Sequence, residues 1–120
     1  MDDKEKAIIK LRYALAFKKI LDKNKETAAN NKLEGKKDPD LISTYYRLEK
    51  WSGIPKATLL GLLQGRINAA STTIAAILDA LGMTFSEFGF YYDSITEGEI
   101  AAYKESLLKL KTDRQRGKKK

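Results

Sequence analysis

Apolar residues recur every three or four positions along most of this chain, which is the spacing that places side chains on one face of an α-helix. The first such stretch runs from Lys4 to about Lys23. Its apolar positions are Ile8, Leu11, Ala14, Leu15, Phe17 and Leu21. The pattern predicts a first amphipathic helix over these residues.

The period is lost over residues 24–40, where the composition shifts to Asn, Lys, Gly and Asp. These residues include several turn formers, so the sequence predicts a long exposed loop. After the loop, a short helix is predicted from Leu41 to Ser52. One side of it would hold Tyr45, Leu48 and Trp51. Either Asp38 or Ser43 is a suitable N-cap for this helix, and the sequence leaves both open.

A tight turn is predicted between this helix and the next one. Gly53 can adopt the positive φ that ends a helix, and Pro55 has its φ preset for the first turn of another. The helix after the turn is predicted over Pro55–Gln64, and Gly65 is suited to end it. Its inward positions are Leu59, Leu62 and Leu63.

Two further helices follow, and each has a recognisable signal at one end. The fourth helix is predicted from about Ser71 to Leu81, with Gly82 closing it. Its apolar stripe consists of Ile74, Ile77, Leu78 and Leu81. The fifth begins at a capping box, in which the Thr84 hydroxyl and the Glu87 carboxylate each accept a hydrogen bond from the other residue's backbone N–H.

A second capping box, at Thr96 and Glu99, opens a sixth helix. Its apolar stripe consists of Ile100, Tyr103, Leu107 and Leu110. The spacing of this stripe is close to a heptad, so the C-terminal helix is a candidate homodimer surface. Packing onto the first helix of the same chain is the alternative. No stretch predicts a β-strand of useful length.

Composition limits the chemistry that this chain can perform. Its 120 residues suit one domain, which we place at residues 1–111. The sequence holds neither His nor Cys, which excludes a Ser-His-Asp triad, a thiol nucleophile, a disulfide and a zinc site built from the usual ligands. We therefore expect a protein that is not an enzyme and that uses no cofactor or metal.

The sequence also predicts a cytoplasmic protein with no membrane contact. Residues 1–6 are too polar for a secretory signal. No run of residues approaches the about 18 consecutive apolar positions that a membrane-spanning helix needs.

Three stretches together resemble one family of DNA-binding proteins. They are Leu48–Leu59 (LEKWSGIPKATL), Gln64–Asn68 (QGRIN) and Ala80–Phe88 (ALGMTFSEF). Over roughly Ser43 to Phe88 their spacing is similar to that of the phage repressor/Cro-like (XRE-type) helix-turn-helix family. The resemblance implies an all-α, five-helix domain with its helix-turn-helix core at residues 43–92, here extended by a C-terminal helix and a basic tail.

The family implies a transcriptional regulator that binds double-stranded DNA sequence-specifically. The helix at about 55–64 would be its recognition helix, lying in the major groove. The residues that the resemblance places at the DNA are Thr44, Tyr45, Lys56, Ala57, Thr58, Leu60, Gly61, Gln64, Arg66 and Asn68.

Roles for these residues follow from the same resemblance. The positions that would contact the DNA backbone are Thr44, Tyr45, Arg66 and Asn68. The exposed face of the recognition helix would hold Leu60, Gly61 and Gln64, with Lys56 and Ala57 at its start. Lys56 could pair with guanine or a phosphate, Gln64 could read adenine, and Leu60 could contact a thymine methyl group.

The reading face departs from the family pattern. Tyr45 replaces a usual Gln, Leu63 replaces a frequent Glu, and Leu60 and Gly61 replace polar residues. Gly61 also weakens its helix by about 1 kcal/mol relative to Ala, which indicates either a close backbone approach or weak selection for reading DNA. A protein-interaction module that keeps the helix-turn-helix fold without specific DNA reading is therefore the alternative function.

The net charge of +7 is concentrated at the two ends of the sequence. Residues 41–93 hold four basic and four acidic side chains, so the segment that should read DNA is neutral overall. A basic tail at residues 112–120 is predicted to be disordered and able to lie along phosphates, with a merely solvated tail as the alternative. Its basic residues are Arg114, Arg116, Lys118, Lys119 and Lys120.

Overall fold

Six helices form the regular structure of residues 1–37 and 41–118, the part of the chain that the computed structural model describes. Side chains are described as far as residue 113. The helices are α1 (Asp3–Leu33), α2 (Tyr45–Ser52), α3 (Lys56–Leu63), α4 (Ser71–Ala80), α5 (Phe85–Ser94) and α6 (Glu97–Lys118). No strand occurs in these ranges, so the all-α prediction is confirmed.

The first helix is ten residues longer than its sequence period indicates. α1 continues through Asn24–Leu33, so the prediction of a loop over 24–40 is wrong for this stretch. Residues 24–34 hold no Gly or Pro, and Lys, Glu and Ala are good helix formers on an exposed surface. The Asn24 side-chain amide donates to the Ile42 carbonyl oxygen at 2.7 Å, which ties the extension to the returning chain.

The second helix begins later than predicted, at Tyr45 instead of Leu41. Its N-cap is Thr44, whose hydroxyl accepts a hydrogen bond from the Arg47 backbone N–H at 3.2 Å. The prediction of Ser43 as cap is therefore wrong, and the other candidate, Asp38, lies outside the described residues.

The remaining helices begin within one residue of their predicted starts. Pro55 directly precedes α3, and α4 covers Ser71–Ala80. Both capping boxes form, with Thr84 and Glu87 exchanging two bonds of 3.1 Å at the start of α5. Thr96 and Glu99 make the same pair of bonds at the start of α6.

The last helix extends into the predicted disordered tail. α6 runs to Lys118, whereas the ordered domain was expected to end at residue 111. The residues that follow are mostly Lys, Arg and Gln, which are strong helix formers, and the first glycine after Gly98 is Gly117. Residues 119 and 120 lie outside the described part of the chain.

The core forms on one side of α1, which contacts α3, α5 and α6. Its buried residues are Leu11, Ala14, Leu15, Ala16, Phe17, Ile20 and Leu21. Phe17 stacks on Phe88 of α5 with ring centroids 4.7 Å apart. Arg12 donates to the Ile95 carbonyl oxygen at 2.8 Å, so a cation holds the end of α5 against α1. α2 packs against α3 and α4.

The apolar stripe of α6 packs largely inside the molecule. Ile100 is buried, and Tyr103 and Leu107 pack against the core, whereas Leu110 is 58% exposed. Lys19 of α1 forms an ion pair with Glu99. A hydrogen bond from Lys19, together with one from the Thr96 backbone N–H, lowers the pKa of the Glu99 carboxyl. The proximal stripe therefore serves intramolecular packing, which was the alternative that the sequence left open.

A hydrogen bond connects α6 to the end of α3. The Tyr103 hydroxyl donates to the carbonyl oxygen of Leu63, the last residue of α3. The final carbonyls of a helix have no partner within the helix, so this bond satisfies a group that would otherwise need water. Burial raises the pKa of Tyr103 to about 12.

No single helix in residues 1–37 and 41–118 combines the length and the apolar character needed to cross a membrane. Taken together, α4 and α5 are long and apolar enough, but the chain bends by 103° at the break between them.

We expect Gly65→Ala to lower the free energy of unfolding by about 1–2 kcal/mol, because the residue has a φ of +69° that side chains disfavour. A Cβ there would also lie 2.8 Å from Leu11 Cδ2. The matched control is Gly89→Ala in α5, where a Cβ meets nothing within 4 Å. That change should stabilise the protein by up to about 1 kcal/mol. Urea denaturation measures both, and equal stability of the two variants would contradict the packing described here.

Replacing Tyr103 by Phe should lower the free energy of unfolding by about 1–2 kcal/mol at neutral pH, because the Leu63 carbonyl oxygen loses its donor. The effect should depend on pH. In the unfolded chain the pKa of the Tyr103 hydroxyl is about 10, below its folded pKa of about 12. Stability of the wild-type chain should therefore fall as the pH rises from about 10 to about 12, more steeply than that of the variant. If the difference in free energy of unfolding between the wild-type chain and the variant is the same at both pH values, ionisation of the buried hydroxyl does not affect stability.

Candidate nucleic-acid interface

Two eight-residue helices, α2 and α3, are joined by a three-residue turn, Gly53-Ile54-Pro55. Gly53 has a φ of +74°, and its N–H donates to the Glu49 carbonyl oxygen at 2.9 Å, which ends α2. The Ile54 N–H donates to the Ser52 hydroxyl at 3.1 Å. These bonds satisfy both N–H groups of the turn, because Pro55 has none.

Most of α3 is buried, because the helix packs against both α1 and α2. The buried residues are Leu59, Gly61, Leu62 and Leu63. The prediction that Gly61 lies on the exposed face is therefore wrong. Ile67 lies over this glycine, and a Cβ at position 61 would approach Ile67 Cγ2 to 3.2 Å. Of the two explanations that the sequence offered for Gly61, close approach applies, and the approaching group is a side chain of the same chain.

The accessible part of α3 is its start and one row along its length. Lys56 and Ala57 are exposed, and Thr58, Leu60 and Gln64 are half-buried. Residues four apart lie on the same side of a helix. Lys56, Leu60 and Gln64 therefore form a row of one cation, one apolar side chain and one amide, which we call the α3 row.

The loop after α3 continues this accessible surface. Arg66 and Asn68 are both exposed, and the Arg66 backbone N–H donates to the Gly61 carbonyl oxygen at 2.9 Å. Among the described residues, the side chains of Lys56, Arg66 and Asn68 have no hydrogen-bond or ion-pair partner. Their charges and donors are therefore available to a ligand.

Thr44 and Tyr45 lie at the other end of this unit, at the start of α2. The Thr44 hydroxyl is engaged as the N-cap, although the residue remains exposed. Tyr45 is 38% exposed and lines a cleft of about 130 Å³ together with Lys18, Asp22 and Lys25 of α1. Lys18 is paired with Asp22 at 2.7 Å, so the start of α2 has charges of both signs beside it.

Lys10 of α1 is a basic residue near the loop after α3. It is not among the residues that the resemblance places at the DNA. It lines a cleft of about 100 Å³ between α1 and the loop after α3, and Ile67 and Asn68 line the same cleft. No local signal marks this lysine, because its place depends on how α1 packs on the loop.

The neutral segment 41–93 divides its charges between its first and its second half. All four of its basic residues lie on α2, α3 and the loop that follows: Arg47, Lys50, Lys56 and Arg66. Three of its four acidic residues lie on α4 and α5: Asp79, Glu87 and Asp93. From Leu41 to Leu78 the sequence holds one acidic residue, Glu49. The total charge of the segment is zero, but residues 41–78 are basic because they hold four basic side chains and one acidic one.

The outward side of α2 differs from its prediction. Trp51 was expected on the same side of the helix as Leu48, yet Leu48 is the one buried residue of α2, and Trp51 is 59% exposed. Tyr46 is 74% exposed. Leu48 is therefore the single core position of α2, which packs against α3 and α4.

The predicted tail contacts cannot be assigned to this surface. The backbone of Arg114, Arg116 and Lys118 belongs to α6, but their side chains, like Lys119 and Lys120 as a whole, lie outside the described residues.

The chemistry of the interface consists of cations, amides and apolar contacts. In residues 1–37 and 41–118, no three His, Cys, Asp or Glu side chains are close enough to share a metal ion. Comparison with protein-family models, with curated proteins and with solved structures finds no match to this chain.

Proposed function

We propose that this chain is a sequence-specific DNA-binding transcriptional regulator of the repressor/Cro-like type, with α2, the turn and α3 as its helix-turn-helix. The α3 row carries the proposal: burial of Leu59, Gly61, Leu62 and Leu63 leaves this row and the helix start accessible, in a stretch of sequence, residues 41–78, that holds one acidic residue. α3 would enter the major groove, which admits one helix.

The α3 row supplies three kinds of contact to base edges. Lys56 stands in the first turn and would donate to guanine acceptors or to a phosphate. Leu60 would pack on a thymine methyl group, and the Gln64 amide would pair with adenine. Gly61 is excluded from this set, since Ile67 covers it.

Phosphate contacts would flank the row on both sides. Arg66 and Asn68 have free side chains on the loop after α3, and Lys10 lines the same cleft as Asn68. Thr44 and Tyr45 would contact the backbone from the start of α2. Contacts of this kind fix the register of a protein on the duplex and make its affinity depend on salt.

A homodimer would place two such units on paired half-sites, which a single small module needs for high affinity. The proximal part of the α6 stripe is occupied by the core, but Leu110 at its distal end is 58% exposed. We assign the dimer contact to this distal part of α6. Such a regulator would act in the cytoplasm, and would need no metal or cofactor.

A second candidate function is a protein-interaction module without specific DNA reading. The observation that favours it is the poverty of donors on the α3 row: with Leu60 at its centre and Gly61 covered, Lys56 and Gln64 are the two donor-bearing side chains of the row.

The variant Lys56→Ala/Gln64→Ala should lose discrimination between sequences. Each good base contact contributes about 1–3 kcal/mol of discrimination, so a site selected from random duplexes by the intact chain should lose most of its preference over a scrambled duplex. Fluorescence anisotropy with both duplexes measures the ratio of dissociation constants. The matched control, Asn30→Ala/Lys104→Ala, removes one amide and one cation from exposed positions on α1 and α6 and should keep the ratio. Failure of the intact chain to bind any duplex at low salt would favour the interaction module.

A chain that ends at Thr112 should bind all duplexes more weakly, by the same factor for selected and scrambled sequences. Truncation removes five basic residues. For each phosphate that the shortened chain fails to neutralise, the slope of log affinity against log salt should decrease by about 0.9. Titrations of both chains across a salt series give the slopes. Identical slopes would show that the tail is only solvated.

A further inference from the structure

A small cleft lies between α1 and the loop that follows α3. Its volume is about 100 Å³, and we call it the α1–loop cleft. The apolar part of its lining comes from α1, α3, the loop and α4, and consists of Ile9, Leu62, Ile67, Ala69 and Ile74. Its polar lining consists of Lys10, Tyr13 and Asn68. Contacts with phosphates would use the polar groups but leave the apolar lining unexplained.

Packing within the protein positions the walls of this cleft. Leu62 is 3% exposed and belongs to the core. Ile67 lies over Gly61, where a Cβ would approach Ile67 Cγ2 to 3.2 Å. The Tyr13 ring stacks on Phe88 with ring centroids 5.9 Å apart. A ligand would therefore enter a site whose shape exists without it, so little of the chain has to be ordered on binding.

The polar side chains of the cleft are hydrogen-bond donors without partners. Lys10 is half-buried, and its ammonium group has no hydrogen-bond or ion-pair partner among the described residues. The same is true of the Asn68 amide and the Tyr13 hydroxyl. No acidic side chain of the described chain lines the cleft. An anionic group with several lone pairs would satisfy these donors, whereas a cation would be repelled by Lys10.

The size of the cleft limits the apolar part of a ligand. A dry protein cavity of about 150 Å³ accepts benzene, which has six carbons. In the same proportion, the volume of about 100 Å³ suits an apolar group of about four carbons. A branched alkyl group supplies these carbons in compact form. Inorganic phosphate has no apolar part, so it would leave the apolar lining in contact with water.

We propose that the α1–loop cleft binds a small branched aliphatic carboxylate. The alkyl group would lie among Ile9, Ile67 and Ile74, and the carboxylate would accept hydrogen bonds from Lys10 and Asn68. Burial of the alkyl group and neutralisation of a half-buried cation both favour this ligand over one that provides a single half of the chemistry.

Occupation of the cleft would weaken DNA binding, a step that rests on the proposed function. Asn68 is one of the proposed phosphate contacts, and Lys10 lines the same cleft. A bound carboxylate would engage these donors and place a negative charge beside the duplex. The ligand would therefore act as an effector that releases the protein from DNA.

Isoleucine methyl groups report on the cleft without any DNA. Ile9, Ile67 and Ile74 line it, whereas Ile42 and Ile100 are buried outside it and serve as internal controls. Sodium isovalerate is titrated into the full-length chain with labelled isoleucine, at constant ionic strength. We expect saturable changes in methyl chemical shift at the three lining residues and none at the two controls. The dissociation constant should be about 1–10 mM, since the ligand is small.

Three related compounds test the two halves of the ligand. Isovaleramide keeps the alkyl group without the charge, acetate keeps the carboxylate with a single methyl group, and inorganic phosphate supplies charge alone. Each should bind at least about fivefold more weakly than isovalerate, because it loses either the charge that Lys10 recognises or the apolar contact.

Two substitutions test the site itself. Lys10→Met removes the cation but keeps the aliphatic stem, and should raise the dissociation constant of isovalerate at least about fivefold. Its matched control is Lys6→Met, at an exposed lysine one turn earlier in α1. Ala69→Leu enlarges a lining side chain and should prevent binding, whereas Ala70→Leu at the exposed next position should not. Urea denaturation verifies that each variant folds.

Three results would overturn the assignment of the site. They are the lack of saturable shifts at the lining methyl groups, equally strong shifts with isovaleramide or phosphate, and unchanged binding of isovalerate by a folded Lys10→Met variant.

The effector role is measured separately, by fluorescence anisotropy with a duplex at constant ionic strength. Isovalerate at ten times its dissociation constant should weaken duplex binding at least about threefold, where complete exclusion would give about elevenfold. Duplex binding by Ala69→Leu should not respond. Unchanged duplex affinity while the methyl shifts saturate would overturn the effector role. Absence of duplex binding in any condition would count against the proposed function, whereas the methyl titration would still decide the site.

Discussion

Burial of the apolar side of α1 is the constraint on which the other elements depend. This one surface receives α3, α5 and α6, which come from distant parts of the sequence. Its influence reaches the interface through Leu11, which lies so close to Gly65 that the end of α3 is positioned by α1. The direction of the α3 row is thus set by packing on the inner side of the helix, while its outer side remains free to vary in chemistry.

Local signals in the sequence were enough to predict α3 to α6. Three of them, α3, α5 and α6, begin at a proline or a capping residue whose effect is confined to one turn, as Thr84 and Thr96 illustrate. α4 has Ala70 as its N-cap, with no side-chain bond, and was predicted from its apolar period and from Gly82. The extension of α1 had no such signal. A polar helix without an apolar stripe resembles a loop in composition, and a single bond from Asn24 to Ile42 decides the matter through a contact across 18 positions.

For the candidate site too, features with local sequence signals were predicted and features that depend on tertiary contacts were not. The turn and the buried leucines of α3 followed from spacing, and Lys56, Arg66 and Asn68 are exposed as the resemblance implies. The covered Gly61, the exposed Trp51 and the position of Lys10 depended on tertiary packing. Separation of charge between α2–α3 and α4–α5 required knowing the helix boundaries before charges were counted. The sequence alone therefore did not predict which side chains share a surface.

The bond from Tyr103 to Leu63 has a consequence for how such a chain evolves. It makes the C-terminal helix part of the support of α3, together with Ile100 in the core. A recombination event that transferred α2 and α3 alone, or that ended the chain after α5, would leave a helix terminus without its donor and the core uncovered. The unit that can be exchanged between proteins is consequently the whole span from α1 to the middle of α6, and changes in the surface of α3 must arise by substitution within it.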